Sequence, residues 1–296
     1  MLQHAYADVS GIRLHYATRG TGKLLLFLHG FPTFWYKWRD QLTAFGDEYQ
    51  VVAPDMRGYN LSAKPSAVEQ YRLPYLVEDV RALVDHLGHR SFILVGHDWG
   101  GVVAWAFAAT YPSYLEKLVV INVPPLNMLR RALYENPVQR QAADYMLLLH
   151  SSQAEEILAT DDYAVLVRSE LQAGLERGHF TEADRQAYLA AWSQSGALTG
   201  GLNYYRAARF VDLFTDEGRQ QIADPAREFA VPPVHTPTLL IWGEQDPFKV
   251  IEIVDDLEQS MPNLTLKHIP NGSHWVVYEH PALINAMIKE FITNTK

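Results

Sequence analysis

The amino-acid sequence predicts an α/β fold in which a mostly parallel central sheet, flanked by helices, is interrupted by an inserted all-helical cap. Short apolar runs rich in valine, isoleucine and leucine alternate with helix-like stretches, which is typical of buried parallel strands in βαβ units. Between residues 128 and 229 these runs disappear, and helix-compatible stretches follow one another instead. The runs that predict strands are Leu24–Leu28, Val51–Ala53, Phe92–Val95, Leu118–Ile121 and Thr238–Trp242.

The remaining elements follow in a regular order along the chain. Residues Val9–Thr18 alternate between polar and apolar side chains and precede Gly20-Thr21-Gly22, which predicts a hairpin arm at the edge of the sheet. Helix-like stretches at Leu76–Leu87 and Val102–Tyr111 separate the strand-like runs, as crossover helices do between parallel strands. The insertion contains further helix-compatible stretches at Arg140–Leu149, Tyr163–Gly174 and Glu182–Gln194.

The helical insertion predicts two domains. We expect an α/β core domain made of residues 1–127 and 230–296, and a helical cap domain made of residues 128–229. A chain of 296 residues is long enough for one large core with such an insertion. Prolines at positions 232, 233 and 237 mark the point at which the chain returns to the core.

The composition excludes several kinds of partner and site. A formal net charge of -9 and a pI near 5.7 give no electrostatic footprint for nucleic acid, and no basic amphipathic stretch points to a membrane surface. The absence of cysteine excludes disulfides and thiolate metal sites, and the N-terminus lacks the continuous apolar core of a secretory signal. We therefore expect a soluble cytoplasmic protein, a monomer or a homodimer, whose partner is a small-molecule substrate rather than nucleic acid or a membrane.

A sharp strand-to-helix turn is predicted at Gly96-His97-Asp98-Trp99-Gly100-Gly101, between the run Phe92–Val95 and a helix-like stretch. Small residues on both sides let such a turn close, and the central residue then projects at the helix N-terminus, where backbone N–H groups favour an anion. Asp98 occupies that central position. A lone aspartate there could simply cap the helix, but the complete pattern, with the partner residues described next, predicts a nucleophile.

The loop after the first buried run is the second component of the predicted site. His29-Gly30-Phe31-Pro32 follows Leu24–Leu28 directly. In this kind of arrangement, one backbone N–H from that loop and one from the residue after the nucleophile stabilise a developing oxyanion. We assign these two donors to Phe31 and Trp99, whereas His29 is expected to bond the loop backbone.

The acid and the base are expected towards the C-terminus. The run Thr238–Trp242 opens into a loop that contains Glu244 and Asp246, and His274 lies in a second loop, Asn271–Trp275. The chain order of nucleophile, acid and histidine matches that of a catalytic triad built at the ends of parallel strands. Asp246 lies further into the loop than the competing Glu244, so Asp246 is assigned as the acid and His274 as the base.

Taken together, these motifs resemble those of the epoxide hydrolase branch of the α/β-hydrolase superfamily, which is similar to the haloalkane and fluoroacetate dehalogenases. The resemblance covers essentially the whole chain and is more specific for fold and nucleophile than for substrate. It implies the α/β-hydrolase fold and hydrolysis without cofactor or metal. The motifs that carry it are His-Gly-Phe-Pro at 29–32, Asp-Met-Arg-Gly-Tyr at 55–59, Gly-His-Asp-Trp-Gly-Gly at 96–101, Trp-Gly-Glu-Gln-Asp at 242–246 and Ser-His-Trp at 273–275.

The resemblance also implies two tyrosines in the cap. Epoxide hydrolases similar to this chain carry cap tyrosines that donate a proton to the opening epoxide, and Asp144-Tyr145-Met146 and Leu202–Arg206 match their motifs. These roles are carried over to Tyr145 and Tyr205, with Tyr204 as the alternative register. Around them we expect a hydrophobic substrate pocket that includes Trp35, Met146, Leu149, Tyr204 and Trp275.

An aspartate nucleophile changes the task of the histidine. With an ordinary pKa of about 4, a carboxylate is ionised at neutral pH and needs no base in order to attack. Asp98 can therefore displace an oxygen from saturated carbon and form an alkyl ester, which water activated by His274 and Asp246 then hydrolyses. Because an epoxide oxygen leaves as an alkoxide, a protonated tyrosine suits the role of donor. The sequence thus predicts an epoxide hydrolase acting on a hydrophobic epoxide.

Two alternatives stay open at the level of sequence. A haloalkane or haloacid dehalogenase would use the same Asp98 nucleophile, but Phe31 stands where haloalkane dehalogenases have asparagine. No arginine follows the nucleophile before Arg130, which argues against a small anionic substrate. A ligand-binding protein that keeps the site without turnover is the other alternative. The sequence does not decide which epoxide is used, with what selectivity, or whether Tyr204 or Tyr205 faces the site.

Overall fold

A computed structural model describes residues 1–248, 253, 254, 257 and 261–294. The strands of its central sheet are β1 (Gln3–Val9), β2 (Ile12–Arg19), β3 (Leu24–Leu28), β4 (Gln50–Pro54), β5 (Phe92–His97), β6 (Leu115–Ile121), β7 (Thr238–Gly243) and β8 (Leu264–Ile269). In this part of the chain they form one sheet of eight strands, in the order β1-β2-β4-β3-β5-β6-β7-β8.

Helices follow most of the strands and fill the long segment between β6 and β7. In chain order the α-helices are α1 (Arg39–Phe45), α2 (Leu73–His86), α3 (Trp99–Thr110), α4 (Leu126–Glu135), α5 (Pro137–Ala142), α6 (Tyr145–His150), α7 (Ala154–Leu166), α8 (Gln172–Glu176), α9 (Glu182–Trp192), α10 (Ala197–Ala208), α11 (Asp216–Gln220), α12 (Pro225–Glu228), α13 (Val276–Glu279) and α14 (Pro281–Thr293). Short 3₁₀ helices and one π-helical turn complete them, at Trp35–Trp38, Val68–Tyr71, Pro112–Tyr114 and Phe210–Phe214, and at Val167–Leu171.

Parallel pairing brings the ends of six strands to one edge of the sheet. It joins β4, β3, β5, β6, β7 and β8, while β1 and β2 form an antiparallel hairpin that pairs with β4. Loops at the carboxyl edge of such a sheet are where ligands bind in open α/β folds. The loops after β3, β5, β7 and β8 carry the predicted site residues, so the topology gathers them at that edge.

Alternate side chains of the central strands pack on opposite faces of the sheet. In β3, Leu24, Leu26 and Leu28 belong to a cluster that includes residues of α2 and α3. Leu25 and Phe27 belong to a second cluster that includes residues of α1 and α14. A strand that is covered on both faces must be apolar at every position, which explains why β3 reads as a continuous apolar run in the sequence.

The predicted fold class is confirmed, with differences in individual elements. All five apolar runs are strands, although β5 continues to His97 and β6 already begins at Leu115. The alternating segment Val9–Thr18 mostly forms β2, and its hairpin partner β1 was not predicted. β8 was missed because its side chains are only partly buried and leave no apolar run. The stretch Arg140–Leu149, expected as one helix, is divided between α5 and α6.

We call residues 126–228 the helical insertion, since the chain is helical from α4 to α12. It begins at Leu126, close to the expected boundary, and the division of the chain into two domains stays a prediction. Its α10 lies directly against a core loop, because a Cβ added at Gly200 would be 2.2 Å from the carbonyl oxygen of Gly58. Within the described ranges, no helix combines the length and the apolar character needed to cross a bilayer.

Candidate active site

The turn between β5 and α3 holds Asp98 in an unusual backbone conformation, with φ of 53° and ψ of -125°. Neighbouring backbone leaves no room for side chains on the flanking glycines. A Cβ at Gly96 would be 2.4 Å from the carbonyl oxygen of Gly100, and a Cβ at Gly100 would be 2.2 Å from that of Leu28. The Gly-x-Asp-x-Gly spacing is therefore a steric requirement of this turn.

The Asp98 side chain points at the loop after β3 rather than along its own helix. Its Oδ1 accepts a hydrogen bond of 3.0 Å from the backbone N–H of Phe31, and it makes no capping bond to α3. A Cβ at Gly30 would be 2.1 Å from the same Oδ1, so only glycine permits this approach. The simple capping role that the sequence left open does not fit this geometry.

His274 lies between the two aspartates assigned to the site. Its Nδ1 is 2.7 Å from Oδ2 of Asp246, within hydrogen-bond distance. Its Nε2 faces Oδ2 of Asp98 at 3.7 Å, which is too long for a direct bond. This arrangement leaves Nε2 oriented towards the nucleophile while Nδ1 is held by the acid.

Two groups that the sequence analysis did not name hold the Asp246 carboxylate. The Asn122 amide donates to Oδ2 at 2.9 Å, and the backbone N–H of Phe248 donates to Oδ1 at 2.8 Å. Asn122 directly follows β6 and has a φ of 53°, so a polar residue after a buried run was the available signal. The competing Glu244 instead lies 3.4 Å from His268.

Aromatic rings flank the His274 imidazole. The ring centroids of Phe248 and Trp275 lie 5.1 and 5.8 Å away, both in edge-on orientations. The His97 ring lies at 4.6 Å, and its Nε2 is 2.8 Å from the backbone carbonyl oxygen of His274. Only a small part of His274 is exposed, so its orientation depends on these neighbours.

Tyr145 begins α6 and Tyr205 lies in α10, and the centroids of their rings are 6.3 Å apart. The Trp99 ring is edge-on to that of Tyr205, with centroids 5.2 Å apart. Burial raises the pKa of both tyrosines well above the ordinary value, and the negative charge of Asp98 adds to the shift. The insertion thus presents two protonated hydroxyls to the neighbourhood of Asp98.

The two adjacent tyrosines of α10 face different parts of the molecule. The Tyr204 hydroxyl donates to the backbone carbonyl oxygen of Arg57 at 2.9 Å, and its ring packs against Tyr59 and Tyr71. Consecutive helical residues point about 100° apart, so only one of the pair faces Asp98. The structure brings Tyr205 to that position.

A cavity of about 20 Å³ adjoins the Asp98 carboxylate. Of the expected pocket residues, Met146 lines this cavity, whereas Leu149 and Tyr204 do not. Trp35 and Trp275 are not among its lining residues either, and their place in a substrate pocket stays a prediction. Its walls are Asp98, Trp99, Val102, Val123, Leu129, Tyr145, Met146, Tyr205 and Phe210.

A much larger cleft, of about 920 Å³, shares one lining residue with this cavity. Trp99 lines both this cleft and the small cavity beside Asp98. Tyr204 lines the cleft but not the small cavity. The Trp99 side chain therefore borders both the small cavity beside Asp98 and the open cleft.

His29 supports the loop that carries Phe31. Its Nε2 accepts a hydrogen bond of 3.0 Å from the Met56 backbone N–H, and its Nδ1 is 2.9 Å from the Gly30 carbonyl oxygen. Burial lowers the pKa of His29 to about 4, so the ring is neutral at pH 7. This agrees with the structural role expected from the sequence. Among the described residues, no group of three or more His, Asp or Glu side chains could hold a metal ion.

Comparison with known proteins identifies relatives along nearly the whole chain. Residues 23–281 match the family described as alpha/beta hydrolase fold. The chain is 36% identical to AB hydrolase superfamily protein YfhM of Bacillus subtilis, covering 98% of this chain and 97% of that protein. It is also 36% identical to Epoxide hydrolase 4 of Homo sapiens, covering 98% of this chain and 78% of the human protein.

Solved structures give the same result. An epoxide hydrolase from Bacillus megaterium, in complex with an inhibitor, superposes with a TM-score of 0.89 at 35% identity, over 98% of this chain and 100% of that chain. Another structure of that enzyme, a variant complexed with its product (R)-3-[1]naphthyloxy-propane-1,2-diol, has a TM-score of 0.90. Epoxide hydrolase VrEH1 from Vigna radiata has a TM-score of 0.78 at 29% identity, over 98% of this chain and 97% of that one.

Proposed function

This chain belongs to the α/β-hydrolase fold family, in its epoxide hydrolase branch, and from that membership we propose that it hydrolyses epoxides to vicinal diols through a covalent ester on Asp98. The observation that carries the proposal is one small cavity lined by a carboxylate and two hydroxyls, those of Asp98, Tyr145 and Tyr205. A nucleophilic carboxylate and two proton donors around the same cavity suit an epoxide, because its oxygen needs a proton when the ring opens.

In the first step, an Asp98 oxygen attacks a ring carbon of the epoxide and forms a C–O bond, while the bond from that carbon to the epoxide oxygen breaks. The oxygen leaves as an alkoxide and takes a proton from the hydroxyl of Tyr145 or Tyr205, which becomes a tyrosinate. The raised pKa of both tyrosines keeps their hydroxyls protonated until the alkoxide forms. The product of this step is a hydroxyalkyl ester of Asp98.

In the second step, Nε2 of His274 removes a proton from a water molecule, whose oxygen attacks the ester carbonyl carbon. Asp246 holds Nδ1 and stabilises the imidazolium. The Phe31 N–H, already directed at the Asp98 carboxylate, stabilises the oxyanion, and Trp99 supplies the second backbone donor. The tetrahedral intermediate collapses by breaking the ester C–O bond, and the leaving alkoxide takes the remaining proton of the attacking water and departs as the diol. The imidazolium proton returns to the tyrosinate, which restores the ionised Asp98, the neutral His274 and both tyrosine hydroxyls.

The cavity walls favour a hydrophobic substrate, because Val102, Val123, Leu129, Met146 and Phe210 supply most of the surface around the reacting groups. The related enzyme from Bacillus megaterium was crystallised with an aryloxy diol product. A volume of about 20 Å³ holds no more than a water molecule. An aryl epoxide therefore needs more space than this cavity alone provides.

A dehalogenase is less well supported by the same geometry. A departing halide needs N–H donors, and the Phe31 side chain, whose ring lies 5.5 Å from that of Tyr205, has none. Protonated tyrosines bring no advantage to a leaving group that is stable as an anion. Halide release from haloalkanes or haloacids, without turnover of epoxides, would favour that alternative. Binding of epoxide without any steady turnover would favour a ligand-binding protein.

The covalent route is tested with His274→Gln, which retains the nucleophile and removes the base. After treatment with an aryl epoxide such as styrene oxide, intact-protein mass spectrometry is expected to record an increase equal to the mass of one epoxide. Asp98→Ala is the matched control and is expected to gain no mass and to have no activity. An unmodified His274→Gln protein would contradict the covalent ester.

A single turnover in heavy-oxygen water gives an independent check on the wild-type protein. Because water attacks the carbonyl carbon of the ester, its oxygen remains on Asp98 and the diol contains only light oxygen. The labelled peptide is identified by mass spectrometry after proteolysis. Label in the diol instead would mean that water attacks the substrate carbon directly.

A further inference from the structure

Glu170 is a buried carboxylate that the proposed chemistry does not use. It lies in the π-helical turn Val167–Leu171 of the insertion and is 4% exposed. Its Oε2 accepts a hydrogen bond of 2.8 Å from the Trp275 indole, and its backbone carbonyl accepts one of 3.0 Å from the Tyr278 hydroxyl. One residue of the insertion thus binds two residues of the core segment that follows His274.

Lys37 supplies the opposite charge from the core. It lies in the 3₁₀ helix Trp35–Trp38 and is 2% exposed, with its ammonium 5.6 Å from the centroid of the Tyr278 ring. Within the described ranges, neither the Lys37 ammonium nor the second Glu170 oxygen has a hydrogen-bond partner. A single buried charge is costly, whereas two opposite charges reduce the cost for each other.

The charges of these two groups support each other in the ionised form. Burial raises the pKa of Glu170, and the Lys37 charge and the Trp275 hydrogen bond oppose that rise. Burial lowers the pKa of Lys37, and the charges of Glu170 and Asp98 oppose that fall. The Trp275 indole donates to Glu170 in either protonation state, and the bond becomes the stronger, charge-assisted kind when the carboxylate is ionised.

The Trp275 indole is in turn part of the wall around the catalytic base. Its ring is edge-on to that of His274 at 5.8 Å, and the Phe248 ring contacts both, at 5.6 and 5.1 Å. If the indole is free to move, the imidazole loses one of its lateral contacts. A continuous line of contacts therefore runs from Glu170 through Trp275 to His274.

We propose that Glu170 is a positioning residue for ester hydrolysis, which holds His274 in line with Asp246 by fixing the Trp275 indole, and that Lys37 stabilises the Glu170 charge. The proposal rests on the function proposed above, because it concerns the second chemical step. Attack by Asp98 on the epoxide does not use His274, so that step is independent of Glu170. A general loosening of the fold, in contrast, would slow both steps.

The test compares Glu170→Met, which removes the acceptor, with Glu170→Gln, which keeps an oxygen for the indole. Single-turnover kinetics with styrene oxide, followed by quenched mass spectrometry, give the rates of ester formation and ester hydrolysis separately. We expect hydrolysis to slow about tenfold or more in Glu170→Met, as for loss of a bond to a charged group, with ester formation unchanged. Glu170→Gln, which keeps the acceptor oxygen without the charge, is expected to recover part of the hydrolysis rate.

Asp184→Asn is the matched control. Asp184 is another buried carboxylate of the insertion, and it bonds Tyr36 in the same 3₁₀ helix as Lys37 at 2.9 Å. It therefore tests a contact between the insertion and the core that does not involve Trp275. We expect both rates in Asp184→Asn to stay within about twofold of wild type, as for a substitution outside the site.

The remaining variants separate the possible outcomes. If Glu170→Met does not fold, Trp275→Phe, which removes the donor instead, is expected to slow ester hydrolysis selectively. Equal slowing of both steps, or no slowing, overturns the positioning role. If Lys37→Met hydrolyses the ester at the wild-type rate, the role of the lysine is wrong. If His274→Gln accumulates no ester, the proposed function fails first, and that result is distinguishable because it does not involve Glu170.

Discussion

The α/β core and the helical insertion hold their functional groups in different ways. The core carries Asp98, Asp246 and His274 on short loops at strand ends, where glycines and backbone bonds leave little freedom. The insertion carries Tyr145 and Tyr205 on helices whose position depends on contacts with the core. In the mechanism proposed above, the core makes and breaks the ester and the insertion donates the proton.

The largest expected effect removes the contribution of the insertion. Tyr145→Phe combined with Tyr205→Phe is expected to slow ester formation by about 10²- to 10⁴-fold, the usual range for loss of a general acid. Styrene oxide turnover and ester formation in the His274→Gln background measure the effect. Near-wild-type rates would mean that the tyrosines of the insertion take no part in the reaction, and that the core alone carries out the chemistry.

Tyr204→Phe is the control for the double tyrosine variant. It removes the bond to the Arg57 carbonyl but no group that faces Asp98. Activity is expected to stay within about threefold of wild type, with some loss of thermal stability, since one buried hydrogen bond contributes about 1 kcal/mol. A loss as large as that of the double variant would mean that the register of α10 has been misassigned.

A smaller effect is expected on the core side. Asn122→Gly removes the amide that holds Asp246, and glycine tolerates the positive φ at this position. Ester hydrolysis is expected to slow about tenfold, while ester formation stays unchanged. Single-turnover mass spectrometry measures both rates. If ester formation slowed instead, Asn122 would act on the nucleophile rather than on the acid.

The smallest expected effect is the response of ester formation to alkaline pH. The pKa of Tyr145 and of Tyr205 is raised by burial, so each hydroxyl keeps its proton to a higher pH than an exposed tyrosine does. A donor with an ordinary pKa of about 10 would lose about fourfold in rate between pH 8 and 10.5. We expect less than about a twofold change in stopped-flow measurements, with circular dichroism as the control for folding.

Core and insertion also differ in what the sequence predicts. The core strands and the Asp98 turn follow from local rules, because burial on both faces and steric closure of a turn impose residue types at fixed spacing. The face of a helix is less constrained: Tyr204 and Tyr205 are equally plausible in the sequence, and the Gly58–Gly200 contact and the bond to Arg57 decide between them.

Long-range partners were beyond sequence reasoning. Asn122 is separated from Asp246 by 124 positions, and Glu170 from Trp275 by 105. No local spacing relates such residues, and only the folded chain brings them together. Tyr204 illustrates the same limit, because aromatic character alone does not specify which cavity a side chain lines.

The Gly58–Gly200 contact has a consequence for laboratory evolution of this protein. The two backbones are in direct contact and leave no room for a side chain. Any larger residue at Gly200 would therefore displace α10, and with it Tyr205. In libraries selected on bulkier substrates, we therefore expect active variants with smaller residues at Leu129 or Phe210, which enlarge the cavity. Libraries that vary the two glycines will instead yield inactive clones.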